Sequence, residues 1–301
     1  MTTAFVLSGG ASLASVQVGM LQALAEAAVR PDLLVGTSAG AFNAAWVAGH
    51  LGGGDLAKLE DIWVRLRRQD VFPSRAAMVV GGILGRRNHL FSPDGLEHLV
   101  RRHVGFRRME QAPIPLHVVA TEVLTGRELL ISSGDVTAAL MASAAIPSVF
   151  PPVTIRGKAL MDGGVADNTP VRHAIDLGAN RIFVLPGGYA CALARPPGSA
   201  LGMALHALTL MIQQRLVADI ERYERYVELV VLPAPCPVSV SPADFGRAEE
   251  LIARSRRLAR AWLRRPRPRL GQADSLAFHS RHAAASSERA LATSRSGQRA
   301  V

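Results

Sequence analysis

Short apolar runs alternate with stretches of helical period along most of the chain. Ala4–Ser8 is an apolar run that ends in Gly9-Gly10, the pattern of a buried strand entering a turn. In Ser15–Ala28 the apolar residues Val16, Met20, Leu24 and Ala27 recur on one helical face. Leu33–Thr37 predicts a second strand, and Ala39–Gly49, rich in alanine, a second helix. Asp55–Gln69 is amphipathic, with Leu59, Ile62, Trp63 and Leu66 on one side and Arg65, Arg67 and Arg68 elsewhere. Ala76–Leu84 is apolar but broken by Gly81-Gly82, and Ser92-Pro93-Asp94 opens a helix to about His103. Strands follow at Leu116–Glu122 and Glu128–Ser132 around Thr125-Gly126, and a hairpin, Val153–Ile155 with Ala159–Met161, turns at Arg156-Gly157. Helices are expected at Val136–Ala145, Pro170–Leu177 and Leu201–Tyr226, and strands at Arg181–Leu185 and Val227–Leu232. Ser241-Pro242-Ala243-Asp244 reads as a capping box that opens a last helix ending near Arg265. Strands alternating with helices in this way predict an α/β fold around a mostly parallel sheet.

Beyond Pro266 the apolar period vanishes into Arg, Ser and Ala. The chain of 301 residues therefore divides into a body, residues 1–265, and an expected disordered tail, residues 266–301. The net charge of +10 lies wholly at this end: Arg254–Val301 holds 12 Arg against Asp274 and Glu288, and the first 253 residues sum to zero. With 49% hydrophobic and 19% charged residues, the body can bury a sizeable core. Two cysteines, Cys191 and Cys236, make neither a disulfide framework nor a four-thiolate metal site. The start, MTTAFVLSGG, lacks the basic and apolar regions of a signal peptide. Leu33–Gly54 is uncharged and long enough to cross a bilayer, but its glycines, Asn43 and His50 argue for a strand and a helix instead. The expected location is cytoplasmic, with any membrane contact at the surface only.

Three segments carry chemistry. Gly36-Thr37-Ser38-Ala39-Gly40 is a G-x-S-x-G pattern between an apolar strand and a small-residue helix, the setting a nucleophile elbow needs. Glycines suit the flanks because a sharp strand-to-helix turn brings backbones close, and Ser38 would sit at the positive end of a helix. Ser8-Gly9-Gly10-Ala11-Ser12 is a glycine-bearing turn before the first helix, able to cradle a phosphate or an oxyanion. Its spacing is not G-x-G-x-x-G, which argues against a dinucleotide. Asp162-Gly163-Gly164 places a carboxylate at a strand end beside two glycines. Nine histidines are present, none in a glycine-rich loop at a strand end, and Ser38 comes too early in the chain for the α/β-hydrolase fold.

Together these segments resemble the patatin-like phospholipase family, whose pattern is a glycine-rich oxyanion loop, a G-x-S-x-G serine and an aspartate in D-G-G/A. The likeness runs on through Thr121–Pro170, including Ala142-Ser143-Ala144-Ala145-Ile146-Pro147, Phe150-Pro151-Pro152 and Asn168. It implies a patatin-like three-layer α/β/α fold and a Ser–Asp dyad without histidine. Ser38 would be the nucleophile and Asp162 the general base. The N–H groups of Gly9, Gly10, Ala11 and Ser12 would form the oxyanion hole, with Gly36, Gly40, Gly163 and Gly164 supporting the elbow and the dyad loop. The implied substrate is a lipid acyl ester, with no cofactor and no metal. The family's loop usually reads G-G-G-x-R-G; here Ala11, Leu13 and Ala14 replace the third glycine, the arginine and the last glycine. That substitution leaves open a catalytically silent relative with a lipid-binding or regulatory role. The basic end offers contact with anionic lipid. A nucleic-acid partner is less favoured, because the body is neutral, aromatics are 5% and no binding motif is present.

Overall fold

Five parallel strands order the molecule, in the sequence β3-β2-β1-β7-β8 across the sheet. They are β1 (Thr3–Leu7), β2 (Leu33–Thr37), β3 (Leu116–Glu122), β7 (Arg181–Leu185) and β8 (Glu228–Val231). Three antiparallel strands, β4 (Glu128–Ile131), β5 (Val153–Ile155) and β6 (Lys158–Asp162), extend the sheet around β3. The structure, a computed structural model, describes residues 1–50, 55–73, 87–188, 196–236, 238 and 240–264. The apolar run Ala76–Leu84, Cys191 and the tail from 266 lie outside the described residues.

The parallel strands are apolar at nearly every position because both faces of the sheet are covered. Phe5, Leu7, Phe183 and Leu185 enter one core, while Ala4, Val6, Ile182 and Val184 enter the other. The first core is closed by α1 (Val16–Glu26), α2 (Ala39–Gly49), α3 (Leu56–Arg65), α6 (Val136–Ser143) and α9 (Ala248–Leu263). Two short helices, α4 (Arg68–Val71) and α5 (Asp94–His103), pack at its rim. The second core lies under α7 (Val171–Asp176) and α8 (Ala200–Tyr223). The result is the expected three-layer arrangement. Chain order leaves β1 toward β2 on one side and meets β7 on the other, so a crevice opens beyond the carboxyl ends of β1 and β2, as open α/β sheets provide for ligands.

Every strand expected from the sequence forms, within one residue at each end. Arg156 and Gly157, both at positive φ, make the turn between β5 and β6. Some helix starts differ. A 3-10 turn, Ala11–Ser15, precedes α1. The amphipathic stretch from Asp55 breaks where Leu66 becomes extended, separating α3 from α4. Pro93 rather than Ser92 takes the N-cap of α5. Ser241–Asp244 does not open the last helix. The Asp244 N–H closes a turn on Ser241 O at 2.9 Å, and Asp244 Oδ1 accepts the Gly246 N–H at 2.8 Å, so α9 begins only at Ala248.

Candidate active site

Ser38 sits between β2 and α2 with φ 54° and ψ −129°, a conformation that a non-glycine residue adopts only under constraint, at a cost of roughly 1–3 kcal/mol. The constraint is steric. A Cβ at Gly36 would lie 2.6 Å from Ala41 Cα, and one at Gly40 would lie 2.4 Å from the carbonyl oxygens of Leu7 and Ser8. Only glycine lets α2 start this close to β1 and β2. The Ser38 N–H donates to Ser143 Oγ at 2.7 Å, and Ser143 Oγ donates to Val119 O at 2.6 Å, which ties the elbow to α6 and β3.

Asp162 arrives from the opposite direction. On β3, β4 occupies one edge from Val118 to Thr121, so β2 and β6 must share the other. Thr37 of β2 pairs with Val119, and Asp162 of β6 pairs with the next residue, Ala120. Two strands running toward each other therefore meet end to end, and their terminal side chains converge. Ser38 Oγ donates to Asp162 Oδ2 at 2.7 Å, and the other carboxylate oxygen accepts the Gly164 N–H at 2.7 Å. Both side chains are buried. Burial pushes the Asp162 pKa up to about 6, against the lowering effect of the bonds from Ser38 and Gly164.

The loop after β1 lies beside them: a Cβ on Gly9 would come 3.1 Å from Ser38 Cβ and 2.4 Å from Asn168 Oδ1. Its four N–H groups are not equivalent. Gly9 donates to Asn168 O at 3.3 Å and Ser12 to Pro242 O at 3.0 Å. The N–H groups of Gly10 and Ala11 have no acceptor among the described residues. Ala11 holds φ 47°, which turns the loop at that point. Polar side chains brace it, among them Gln17, which no sequence motif marks. Gln17 Nε2 donates to Ser8 O at 2.7 Å and Leu185 O at 3.0 Å, Ser8 Oγ accepts the Gly187 N–H at 2.6 Å, and Asn168 Nδ2 donates to Gly9 O at 3.3 Å. Gln17 is fully buried, and a buried amide on a helix in an apolar stretch was the available signal.

A cavity of about 470 Å³ opens over Ser38 and Asp162. Its walls are mostly apolar and include Phe72, Phe91, Val149, Leu205, Ile212 and Leu216, the last three from α8. Histidine takes no part in the Ser38–Asp162 pair: no described histidine hydrogen-bonds to either side chain. His206 lines the cavity, and His173 lies 3.7 Å from Glu128. Glu128, Asp167 and His173 bring ligand-type atoms within 4.8 Å of one another. Arg172 and Arg215 already face the Glu128 carboxylate, supplying the counter-charge that a cation would. Asp167, buried there, has a pKa raised to about 6 by desolvation, with Arg215 opposing the shift.

The family model for patatin-like phospholipases matches residues 5–175, which include the glycine loop, the elbow and Asp162. The chain belongs to the patatin-like phospholipase family. Among curated relatives, it is 30% identical to lysophospholipase nte1 of Aspergillus terreus over 186 residues, covering 61% of this chain and 12% of that protein. It is 32% identical to an uncharacterised NTE family protein of Mycobacterium bovis over 172 residues, covering 56% of this chain and 44% of the other. The chain thus spans less than half the length of these relatives. Among solved structures, VipD of Legionella pneumophila aligns with TM-score 0.44 and 14% identity, over 86% of this chain and 67% of that one. No described helix is long and apolar enough to cross a membrane.

Proposed function

We propose that this patatin-like protein is a serine hydrolase of lipid acyl esters, working through a Ser38–Asp162 dyad and an acyl-enzyme. The observation that carries the reading is the 2.7 Å bond from Ser38 Oγ to Asp162 Oδ2 at a constrained elbow, under an apolar cavity. Ser38 Oγ attacks the ester carbonyl carbon while Asp162 takes its proton. The carbonyl electrons move onto oxygen, and the free N–H groups of Gly10 and Ala11 receive that charge. Each well-placed donor of this kind contributes about 3 kcal/mol in other enzymes. Collapse of the tetrahedral species breaks the ester C–O bond, and the departing alcohol leaves with the proton from Asp162. A water then gives its proton to Asp162 and attacks the acyl-serine carbonyl; collapse breaks the bond to Ser38 Oγ, which takes the proton back from Asp162 as the fatty acid leaves. A base with a pKa near 6 is ionised at neutral pH yet basic enough to accept the proton in flight.

Within this reading, Gly9 and Ser12 act as struts of the loop rather than as oxyanion donors, since their N–H groups are already bonded. Gly36, Gly40, Gly163 and Gly164 provide the close backbone approaches. At Gly163 an added Cβ would lie 2.3 Å from Val119 O. The α8 helix turns Leu205, Ile212 and Leu216 toward the cavity and leaves Met203, Leu210 and Met211 exposed, a face suited to touching a lipid aggregate. The test is hydrolysis of a short-chain p-nitrophenyl ester. Ser38→Ala should abolish it with the fold retained, while replacing His206 or His173 by Ala should not. Turnover by Ser38→Ala would overturn the assignment.

A further inference from the structure

Building on the hydrolase reading above, we infer that Arg68 anchors a phosphate-bearing headgroup, so that the preferred substrates are acyl esters carrying a phosphate rather than neutral glycerides. Among the described side chains lining the cavity, the charged ones are Asp162, which is bonded to Ser38, and Arg68, with His206 as the other basic group. A guanidinium stays protonated at any working pH, so Arg68 gives the cavity a fixed positive charge. The glycine loop supplies none: Leu13, which also lines the cavity, is apolar and buried.

The local fold sets Arg68 apart from its neighbours. Arg68 and Phe72 stand one turn apart on the α4 segment and both line the cavity over Ser38. Gln69 and Asp70 line a different cavity, beside Lys58 and Arg65. The Asp70 carboxylate accepts the Arg67 N–H at 2.8 Å. Among the described residues no carboxylate comes within ion-pair distance of Arg68, whereas Arg101, Arg108, Arg172, Arg247 and Arg260 each have one. The guanidinium carbon lies 5.9 Å from the centroid of the Phe91 ring, and Phe91 also lines the cavity. That distance is at the outer range of a cation–π contact, and the exposed Arg68 guanidinium makes no hydrogen bond among the described residues. A guanidinium that lines the cavity beside apolar walls, with no carboxylate partner among the described residues, matches two oxygens of a phosphate. Ser38 would then receive the ester carbonyl, the apolar walls the acyl chain, and Arg68 the headgroup.

The experiment compares wild type, Arg68→Gln and Arg68→Lys on two esters with the same acyl chain, a 1-acyl-glycerol 3-phosphate and a monoacylglycerol. The quantity read is the ratio of kcat/KM for the phosphate ester to that for the neutral one. Loss of a bidentate, charge-assisted contact should lower this ratio about tenfold in Arg68→Gln, mainly through KM. Arg68→Lys, which keeps the charge without the fork, should recover only part of it. An unchanged ratio in Arg68→Gln would overturn the inference. A parallel measurement separates it from the hydrolase reading. Binding of hexadecyl phosphate, which has no ester to cleave, is measured in a Ser38→Ala background with and without Arg68→Gln. Weaker binding on loss of Arg68 supports the anchor even where no ester is turned over, and equal binding overturns it.

Discussion

Replacing Asp162 by Asn should make the protein more stable and inactive at once. The carboxylate is buried, and burial raises its pKa from 3.8 to about 6. Each pKa unit corresponds to about 1.36 kcal/mol, so holding the ionised form in the folded state costs roughly 3 kcal/mol above pH 6. The sign follows from linkage. The folded pKa lies above the unfolded one, so stability is fullest below about pH 4 and declines as pH rises through about 6. Asparagine never ionises, and its carbonyl can still accept the Gly164 N–H while its amide faces Ser38 Oγ. After allowing about 1 kcal/mol for imperfect hydrogen bonds, Asp162→Asn should gain about 2 kcal/mol at pH 8 and lose up to about 1 kcal/mol at pH 4, where the folded carboxyl is already uncharged. Urea melts of both proteins at the two pH values measure this. In the same buffers the wild-type kcat/KM for a p-nitrophenyl ester should rise through an apparent pKa near 6, reporting the free enzyme's base. Asp167→Asn should retain that acid limb, although Asp167 is also raised to about 6. A variant destabilised equally at both pH values, or an activity limb near pH 4, would refute the reasoning.

Two other perturbations probe the frame. Ser143→Ala leaves the Ser38 N–H and Val119 O without their shared partner, both in the interior. It should cost about 1–3 kcal/mol in melts and reduce kcat, and wild-type stability would contradict the bracing role. Ending the chain at Arg265 removes six arginines and both acids of Arg254–Val301, a net +4 of its +10, while sparing α9, whose Leu251 and Ile252 are in the core. Binding to anionic vesicles at low salt should fall, by up to about 1 kcal/mol per arginine lost near the surface, with short-chain ester hydrolysis retained. Equal vesicle binding by both lengths would dismiss the tail as a docking element.

What the sequence made legible was local. Leu33–Thr37, Ser38 and Ala39–Gly49 form one contiguous strand, elbow and helix, and the glycines at 36 and 40 announce the tight turn by themselves. The parallel strands were readable because burial on both faces forces unbroken apolar runs. Long-range pairing was not readable. Nothing near Asp162 in the chain shows that β6 continues the edge of β3 that β2 leaves at Thr37, yet that pairing is what sets the carboxylate against Ser38. The four loop N–H groups looked alike in sequence, and it takes Asn168 and Pro242, far along the chain, to occupy two of them. Ser241–Asp244 misled for a similar reason. It has the composition of a helix cap, but the Pro242 carbonyl is held by Ser12 and Asp244 turns toward Gly246.

The central claim, an activated Ser38, is tested most directly by covalent labelling with a lipid-like fluorophosphonate, followed by peptide mass spectrometry. Attack by Ser38 Oγ on phosphorus, with loss of fluoride, should place the adduct on the peptide holding Gly36–Gly40. Labelling should be rapid in wild type, absent in Ser38→Ala and strongly slowed in Asp162→Asn. An adduct on any other residue, or equal labelling rates in wild type and Asp162→Asn, would contradict the dyad.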